Sequence, residues 1–208
     1  MKIFRSFRFL IFVGLAFSGL NLVACSGLSG LLPASLPKMA TFEGETFTVE
    51  YPEEWNYTSD SLLGMEIVLF STQPLSSVDV FETDPNTLVK EGVPLVMIIT
   101  MPKELAGDLV DDPQALYDEV VGDDEENVTV LEQGETTIGG AQGYQLVLKG
   151  YDEDLDRDIG GYIVVGQRED DGQVVLFMAI TSRDNVDQDL RIFEHMHKTF
   201  TLKTSTSE

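Results

Sequence analysis

The single cysteine of the chain, Cys25, lies in a context typical of covalent lipid attachment. It ends the tetrapeptide Leu22-Val23-Ala24-Cys25, which matches a bacterial lipobox. A basic N-terminus and the apolar run from Phe9 to Phe17 precede it, as in an export signal. The pattern predicts cleavage before Cys25 and attachment of fatty acyl chains such as palmitate at the new terminus.

A retained transmembrane helix is the alternative for this first segment. Glycines and a serine interrupt the apolar stretch, however, and a span needs about 20 predominantly apolar residues. We expect a lipoprotein signal peptide over 1–24, a lipidated tether rich in Ser, Gly and Pro over 25–40, and one globular domain over 41–208. The anchor would hold that domain on a cell membrane or outer membrane, facing the periplasm or the exterior.

A run of alternating acids could bind a cation. It consists of Asp152, Asp154, Asp156 and Asp158. An EF-hand loop needs glycine at its sixth place and glutamate at its twelfth. Counted from Asp152, these places hold Arg157 and Ile163, so the EF-hand pattern fails. A looser calcium site is one reading, and a charged hairpin tip that resists edge pairing is the other.

Two histidines, His195 and His197, lie two residues apart in a predicted helix, so their side chains point about 200° apart around its axis. Ligands for one metal ion on a helix need a spacing of four. We therefore expect one histidine to border the core and the other to face solvent, with no metal and no cofactor.

Motifs for nucleophilic catalysis and phosphate binding are missing, since the sequence contains neither Gly-x-Ser-x-Gly nor Gly-x-x-x-x-Gly-Lys. With Cys25 acylated, no cysteine is left to act as a nucleophile. We predict a protein that is not an enzyme. A hydrolase remains an alternative, and it would need a concave pocket holding two carboxylates or a Ser/His/Asp set.

Acidic residues dominate the composition, with 36 Asp+Glu against 13 Lys+Arg and a formal net charge of −23. Removal of the signal peptide, with its three basic residues, would take the charge to −26. Such a surface excludes nucleic acid as a partner, because nucleic-acid binding relies on Lys and Arg. Anionic lipid headgroups would also repel it, so the lipid on Cys25 should be the membrane contact.

The elements that carry these residues are mainly strands. Phe47, Val49 and Tyr51 alternate with polar residues, which predicts a strand, and Met65–Phe70 predicts a second strand that pairs back on it. The apolar run Leu95–Ile99 predicts a central strand buried on both faces. Between them, Tyr51, Trp55 and Tyr57 either line a pocket or, with Pro52 fixing a turn, cap the apolar edge of the sheet.

The second half of the chain predicts two helices and two hairpins. One helix should begin at Asp111 or Asp112, and the other should span Val186–Thr199, with an apolar face at spacings of three and four. Turns at Gly139-Gly140 and Asp171-Gly172 predict the hairpins. Their strands should be Val128–Thr137 with Ala141–Lys149, and Tyr162–Gln167 with Gln173–Thr181, while Phe200 and Leu202 close the sheet edge or cover its core.

Several of these segments together resemble the PsbP-like and Mog1-like domain family over residues 44–202. The carrying segments are Phe47-Thr48-Val49-Glu50-Tyr51-Pro52-Glu53-Glu54-Trp55, Phe70-Ser71, Met101-Pro102-Lys103, Ile138-Gly139-Gly140-Ala141-Gln142-Gly143-Tyr144 and Thr199-Phe200. The resemblance implies an α+β fold with a mostly antiparallel sheet flanked by helices, an α/β/α sandwich. Its members include extrinsic photosystem II subunits, bacterial lipoproteins and a nuclear import factor that binds a small GTPase.

The function we expect is that of a membrane-anchored extracytoplasmic lipoprotein that binds or assembles an envelope protein without catalysis. A calcium-binding accessory protein and an extrinsic photosystem II subunit are the alternatives. The photosystem members of the family dock largely through basic residues, a feature that this acidic chain lacks.

Overall fold

Two antiparallel sheets organise the computed structural model, which describes residues 36–75, 93–106, 128–152, 157–182 and 186–204. The signal peptide, Cys25, most of the expected tether and the helix expected from Asp111 or Asp112 lie outside these residues. The described elements, in chain order, are β1 Met39–Glu43, β2 Phe47–Pro52, β3 Asn56–Leu62, β4 Met65–Ser71, β5 Leu95–Pro102, α1 Lys103–Ala106, β6 Val128–Ile138, β7 Ala141–Asp152, β8 Arg157–Gln167, β9 Gln173–Ser182, α2 Val186–Thr199 and β10 Thr201–Leu202.

The larger sheet has seven strands in the order β3-β4-β5-β9-β8-β7-β6. All neighbouring strands in it are antiparallel. The hairpin turn at Gly139-Gly140 is confirmed, and both glycines adopt positive φ angles of 57° and 85°, which disfavour other residues. The central strand is confirmed as well, since β5 is buried from Leu95 to Met101.

The smaller sheet has the order β1-β2-β10, which overturns one predicted pairing. The strand Met65–Phe70 does not pair with Phe47–Tyr51; as part of β4 it lies between β3 and β5. The reason is local. Trp55 N donates to Pro52 O at 2.9 Å in a tight turn, and β3 begins at once and forms a short hairpin with β4. Sequence analysis missed β3 because most of its side chains are exposed and polar.

Two apolar clusters lie on opposite faces of the large sheet, because successive residues of β4 and β5 alternate between them. On one face, α2 inserts Ile192, Phe193 and Met196 into the first cluster, which also contains Phe47 and Val49 of β2. The limits of α2 match the predicted helix. A mostly antiparallel sheet with packed helices, the α+β class expected from the sequence, is therefore confirmed.

The two ends of the large sheet differ in what they carry. At one end, here called the base, the chain enters β1 at Met39, which pairs with Pro52, and β7 ends and β8 begins, with Asp152 paired to Arg157. The opposite end, here called the top, carries the turns at 44–46, 63–64, 139–140 and 168–172. Since β1 begins at Met39, regular structure starts within the segment 25–40 expected to be a tether.

Neither helix among the described residues has the length and apolar character required to cross a bilayer.

Candidate functional site

An open groove of about 880 Å³ runs between α2 and the outer strands of the large sheet. It exists because α2 packs mainly on β2, β8 and β9, and less closely on the outer strands β6 and β7. The side chains and turns that line it come from β6, β7, β8, α2 and the segment after α2. They are Glu132, Thr136, Thr137, Gly139, Gly140, Gln145, Val147, Tyr162, Leu190, Arg191, Glu194, His197, Lys198, Phe200 and Thr201.

The floor of the groove contains a buried hydrogen-bonded pair, Tyr162 and His197. His197 Nε2 lies 2.9 Å from Thr137 O, and because a carbonyl oxygen only accepts, Nε2 carries the proton of the neutral ring. The other nitrogen, Nδ1, then accepts from the Tyr162 hydroxyl at 2.9 Å. Gln145 Oε1 lies farther from that hydroxyl, at 3.2 Å. Because the hydroxyl of Tyr162 has one proton, it donates to the nearer acceptor, His197 Nδ1.

Burial determines the protonation of this pair. It lowers the pKa of His197 below its usual 6.5, outweighing the hydrogen bond to Thr137 O. Burial, followed by the charges of Glu194 and Glu132, also raises the pKa of the Tyr162 phenol. Both side chains are therefore neutral at pH 7, and both His197 nitrogens are engaged inside the protein. The pair fixes the floor of the groove and offers no free base to a bound molecule.

An ion pair and exposed acids form the rim of the groove. On α2, Lys198 contacts Glu194 one turn away. Exposed Glu132 lines the opposite wall. The two carboxylates that line the groove, Glu132 and Glu194, are thus exposed, and Glu194 is paired with a cation. This arrangement differs from the buried carboxylates that acid–base catalysis usually requires.

The histidines separate around α2 as their spacing predicts. His197 is buried at the groove floor, while His195 Nε2 lies 2.7 Å from Glu50 Oε2 of β2. One of the two histidines was expected to face solvent, but His195 is partly buried, since the small sheet packs against that side of the helix. It connects α2 to β2 and takes no part in the groove.

The alternating aspartates lie partly outside the described residues. Asp154 and Asp156 belong to the undescribed segment, whereas Asp152 and Asp158 occupy the adjoining ends of β7 and β8 at the base. Among the side chains that the structure describes, no three His, Cys, Asp or Glu residues are grouped as metal ligands would be. The possible cation site therefore stays a prediction.

The aromatic residues Tyr51, Trp55 and Tyr57 border the core. Trp55 is buried in the first apolar cluster. The Tyr57 ring is half exposed and packs edge-on against Phe42 at 5.2 Å and Tyr51 at 5.7 Å between centroids. These contacts favour the interpretation that Trp55 and its neighbours close the edge of the core over the one with a pocket.

Sequence reasoning missed the groove and the Tyr162–His197 contact. The two residues are 35 positions apart, and neither forms part of a motif. The available signal was indirect: a tyrosine in a predicted strand and a histidine on the core side of a predicted helix.

Comparisons with known proteins identify similar structures. No protein-family model and no curated protein matches this chain. LpqN, involved in cell envelope biogenesis of Mycobacterium tuberculosis, is 14% identical, with 80% of this chain and 91% of LpqN covered at a TM-score of 0.46. Cyanobacterial PsbP (CyanoP) from Synechocystis sp. PCC 6803 is also 14% identical, with 85% of this chain and 99% of CyanoP covered at a TM-score of 0.43.

The Ran-binding protein Mog1p of Saccharomyces cerevisiae is 8% identical, with 80% of this chain and 96% of Mog1p covered at a TM-score of 0.48. PsbP and Mog1, the two proteins after which the resembling family is named, are thus both among the solved structures similar to this chain. Identities this low concern the fold alone, and one fold hosts many functions.

Proposed function

We propose that this chain is a lipid-anchored, extracytoplasmic lipoprotein that acts as a non-catalytic binding or assembly module for an envelope protein. The lipobox at Cys25 supports the anchor and the location. The composition supports a protein partner, because a net charge of −23 disfavours nucleic acid and anionic lipid.

The observation that carries the binding role is the groove between α2 and the outer strands. Its volume of about 880 Å³ falls within the range of about 300–1,000 Å³ typical of ligand sites. Val147, Leu190 and Phe200 provide apolar surface, and charged residues stand at the rim. A preformed floor with a polar rim is suited to holding a segment of another protein.

The outer strand β6 adds a second means of recognition. It spans 11 residues and pairs with β7, and no described strand pairs with its outer side. Unpaired backbone groups at a sheet edge bind extended segments of other chains through main-chain hydrogen bonds. A partner segment lying along β6 could place alternate side chains next to the groove.

The side chains of the same groove are the reason why we propose a function without catalysis. Its single histidine has both ring nitrogens engaged, by Tyr162 and by Thr137 O. Its two carboxylates lie exposed at the rim. A groove of this kind holds a partner without supplying a general base or a nucleophile.

The test is a mild crosslinking pull-down of the full-length lipidated chain from its native membrane. Wild type is compared with Cys25→Ser, with Thr136→Arg on the groove face of β6, and with Gln133→Arg on the opposite face of the same strand. We expect one envelope protein to be enriched by wild type and by Gln133→Arg. Its yield should fall at least about 10-fold with Thr136→Arg, which corresponds to about 1.4 kcal/mol.

Loss of the same protein with Cys25→Ser would support the anchor, and incorporation of labelled palmitate at Cys25 tests it directly. Equal yields from Thr136→Arg and Gln133→Arg would contradict the groove as the binding surface. A wild-type sample that enriches no envelope protein over a control membrane lacking the chain would contradict the binding role itself.

A further inference from the structure

The turn between β3 and β4 is built from a residue that its backbone disfavours. Leu63 and Gly64 have φ angles of 55° and 80°, which place both central residues of this two-residue hairpin in the left-handed region. Asn-Gly and Asp-Gly are the usual sequences for such a turn. Among the described residues, Leu63 is the one residue other than glycine with a positive φ.

Packing within the domain does not account for this leucine. The side chain of Leu63 is 82% exposed, and that of its neighbour Leu62 is 52% exposed. Leu63 therefore combines a strained backbone with an apolar side chain in water. Strain of this kind at an exposed position is typical of a residue retained for contact with another molecule.

The surroundings of this leucine tip, here meaning Leu62 and Leu63, contain both apolar and acidic residues. Gly64 packs beside Pro102, and half-exposed Leu105 lies in α1, which follows Pro102 directly. Exposed carboxylates of Asp60, Glu45 and Glu104 flank the same end of the sheet. A complementary surface would present an apolar pocket with basic residues around it.

The position of the leucine tip decides between two binding partners: another protein, or the membrane to which the chain is proposed to be anchored. The chain enters β1 at the base, and β1 runs five residues, about 17 Å, towards the top, where the leucine tip lies. An anchor at Cys25 reaches the domain through Met39 at the base. In the shortest tethered arrangement the leucine tip therefore points away from the bilayer.

We propose that the leucine tip, Leu62 and Leu63, docks into an apolar pocket rimmed by Lys or Arg on the envelope partner of this domain. This inference rests on the proposed function and adds a contact surface at the top of the domain. If the partner is held in the same membrane layer, even a weak contact is effective, because confinement of both proteins raises their effective concentration.

The experiment places a photo-crosslinking amino acid at position 63 of the full-length lipidated chain in its native membrane. The matched control places it at position 36, because Leu36 is also an exposed leucine, at 42%, but lies just before β1 at the base of the domain, outside both proposed contact surfaces. We expect position 63, and not position 36, to yield one product with an envelope protein. The crosslinked peptide of that protein should be apolar and adjoined by Lys or Arg.

A second variant keeps the test independent of folding. Leu63→Asn suits the turn better than leucine, so the domain should melt at a higher temperature. With the crosslinker moved to position 62, this substitution should lower the yield of the product at least 10-fold. A more stable domain with a weaker contact cannot be explained by misfolding.

Several outcomes would overturn the proposal. They are lipid adducts from position 63, equal products from positions 63 and 36, no product from position 63, or an undiminished product with Leu63→Asn. Flotation of the unlipidated domain with vesicles of phosphatidylcholine, dependent on Leu63, would also assign the tip to lipid. If the pull-down still retains its envelope protein in these cases, the tip fails while the proposed function stands.

Discussion

Single buried polar groups hold the two sheets together, and Glu66 of β4 is the clearest case. Its carboxylate is 4% exposed and accepts from the backbone nitrogens of Glu45 and Thr46 at 2.9 and 2.8 Å, and from Thr46 Oγ1 at 2.5 Å. These donors belong to the turn between β1 and β2. The turn of the small sheet is therefore fastened to the large sheet by one charged acceptor.

We expect Glu66→Gln to lower the free energy of unfolding by about 2 kcal/mol, because a charged acceptor of buried hydrogen bonds is lost. Urea unfolding measures the effect. Glu43→Gln is the matched control, since Glu43 is an exposed glutamate on β1, and its effect should be close to zero. Similar values for the two variants would contradict the role assigned to Glu66.

The buried histidine at the groove floor makes stability depend on pH. Burial lowers the pKa of His197 in the folded protein, whereas the unfolded chain takes up the proton near the usual value of 6.5. Below that pH the unfolded state binds more protons than the folded state, so stability falls as the pH falls. Above that pH this contribution is constant.

We therefore expect wild type to lose more stability between pH 7.5 and 5.5 than His197→Gln, which cannot titrate and can still donate to Thr137 O. Urea unfolding at the two pH values measures the difference. Equal slopes for wild type and His197→Gln would show that His197 does not cause it.

Elements differ in how well the sequence specifies them. The limits of α2 could be predicted because Leu190, Phe193 and Met196 repeat with helical spacing. The strand β3 could not, because Ser59, Asp60 and Ser61 give it no apolar face. The groove could not be predicted either, since it depends on which strands a helix packs against, which no local pattern records.

The hairpin of β3 and β4 provides a prediction at this scale. Leu63→Asn should stabilise the isolated domain by about 1 kcal/mol, because the left-handed conformation costs a leucine about that much more than an asparagine. Thermal unfolding should then show a rise in Tm of a few degrees. Leu131→Asn, at the exposed leucine of β6, should bring no such gain. A lower Tm for Leu63→Asn would show that the leucine stabilises the turn.

The whole molecule carries a large excess of negative charge, which opposes the compact state by self-repulsion. We expect the free energy of unfolding to rise with NaCl up to about 0.5 M, because the Debye length then falls below about 10 Å.

The same unfolding measurement in calcium chloride, at matched ionic strength, tests whether the alternating aspartates bind calcium. A saturable gain in the free energy of unfolding beyond that in NaCl, lost with Asp154→Asn and Asp156→Asn, would indicate a calcium site. Equal stability in the two salts would indicate screening alone.

The direction of β1 also decides how the domain responds to mechanical force. With an anchor pulling at Met39 and a partner holding the top, tension acts along the axis of β1. The five pairs from Met39–Pro52 to Glu43–Thr48 then carry the load in shear, all at once, rather than opening one by one like a zipper. Short strands resist rupture best in this arrangement, so β1 is suited to bear tension between the proposed anchor and the proposed partner.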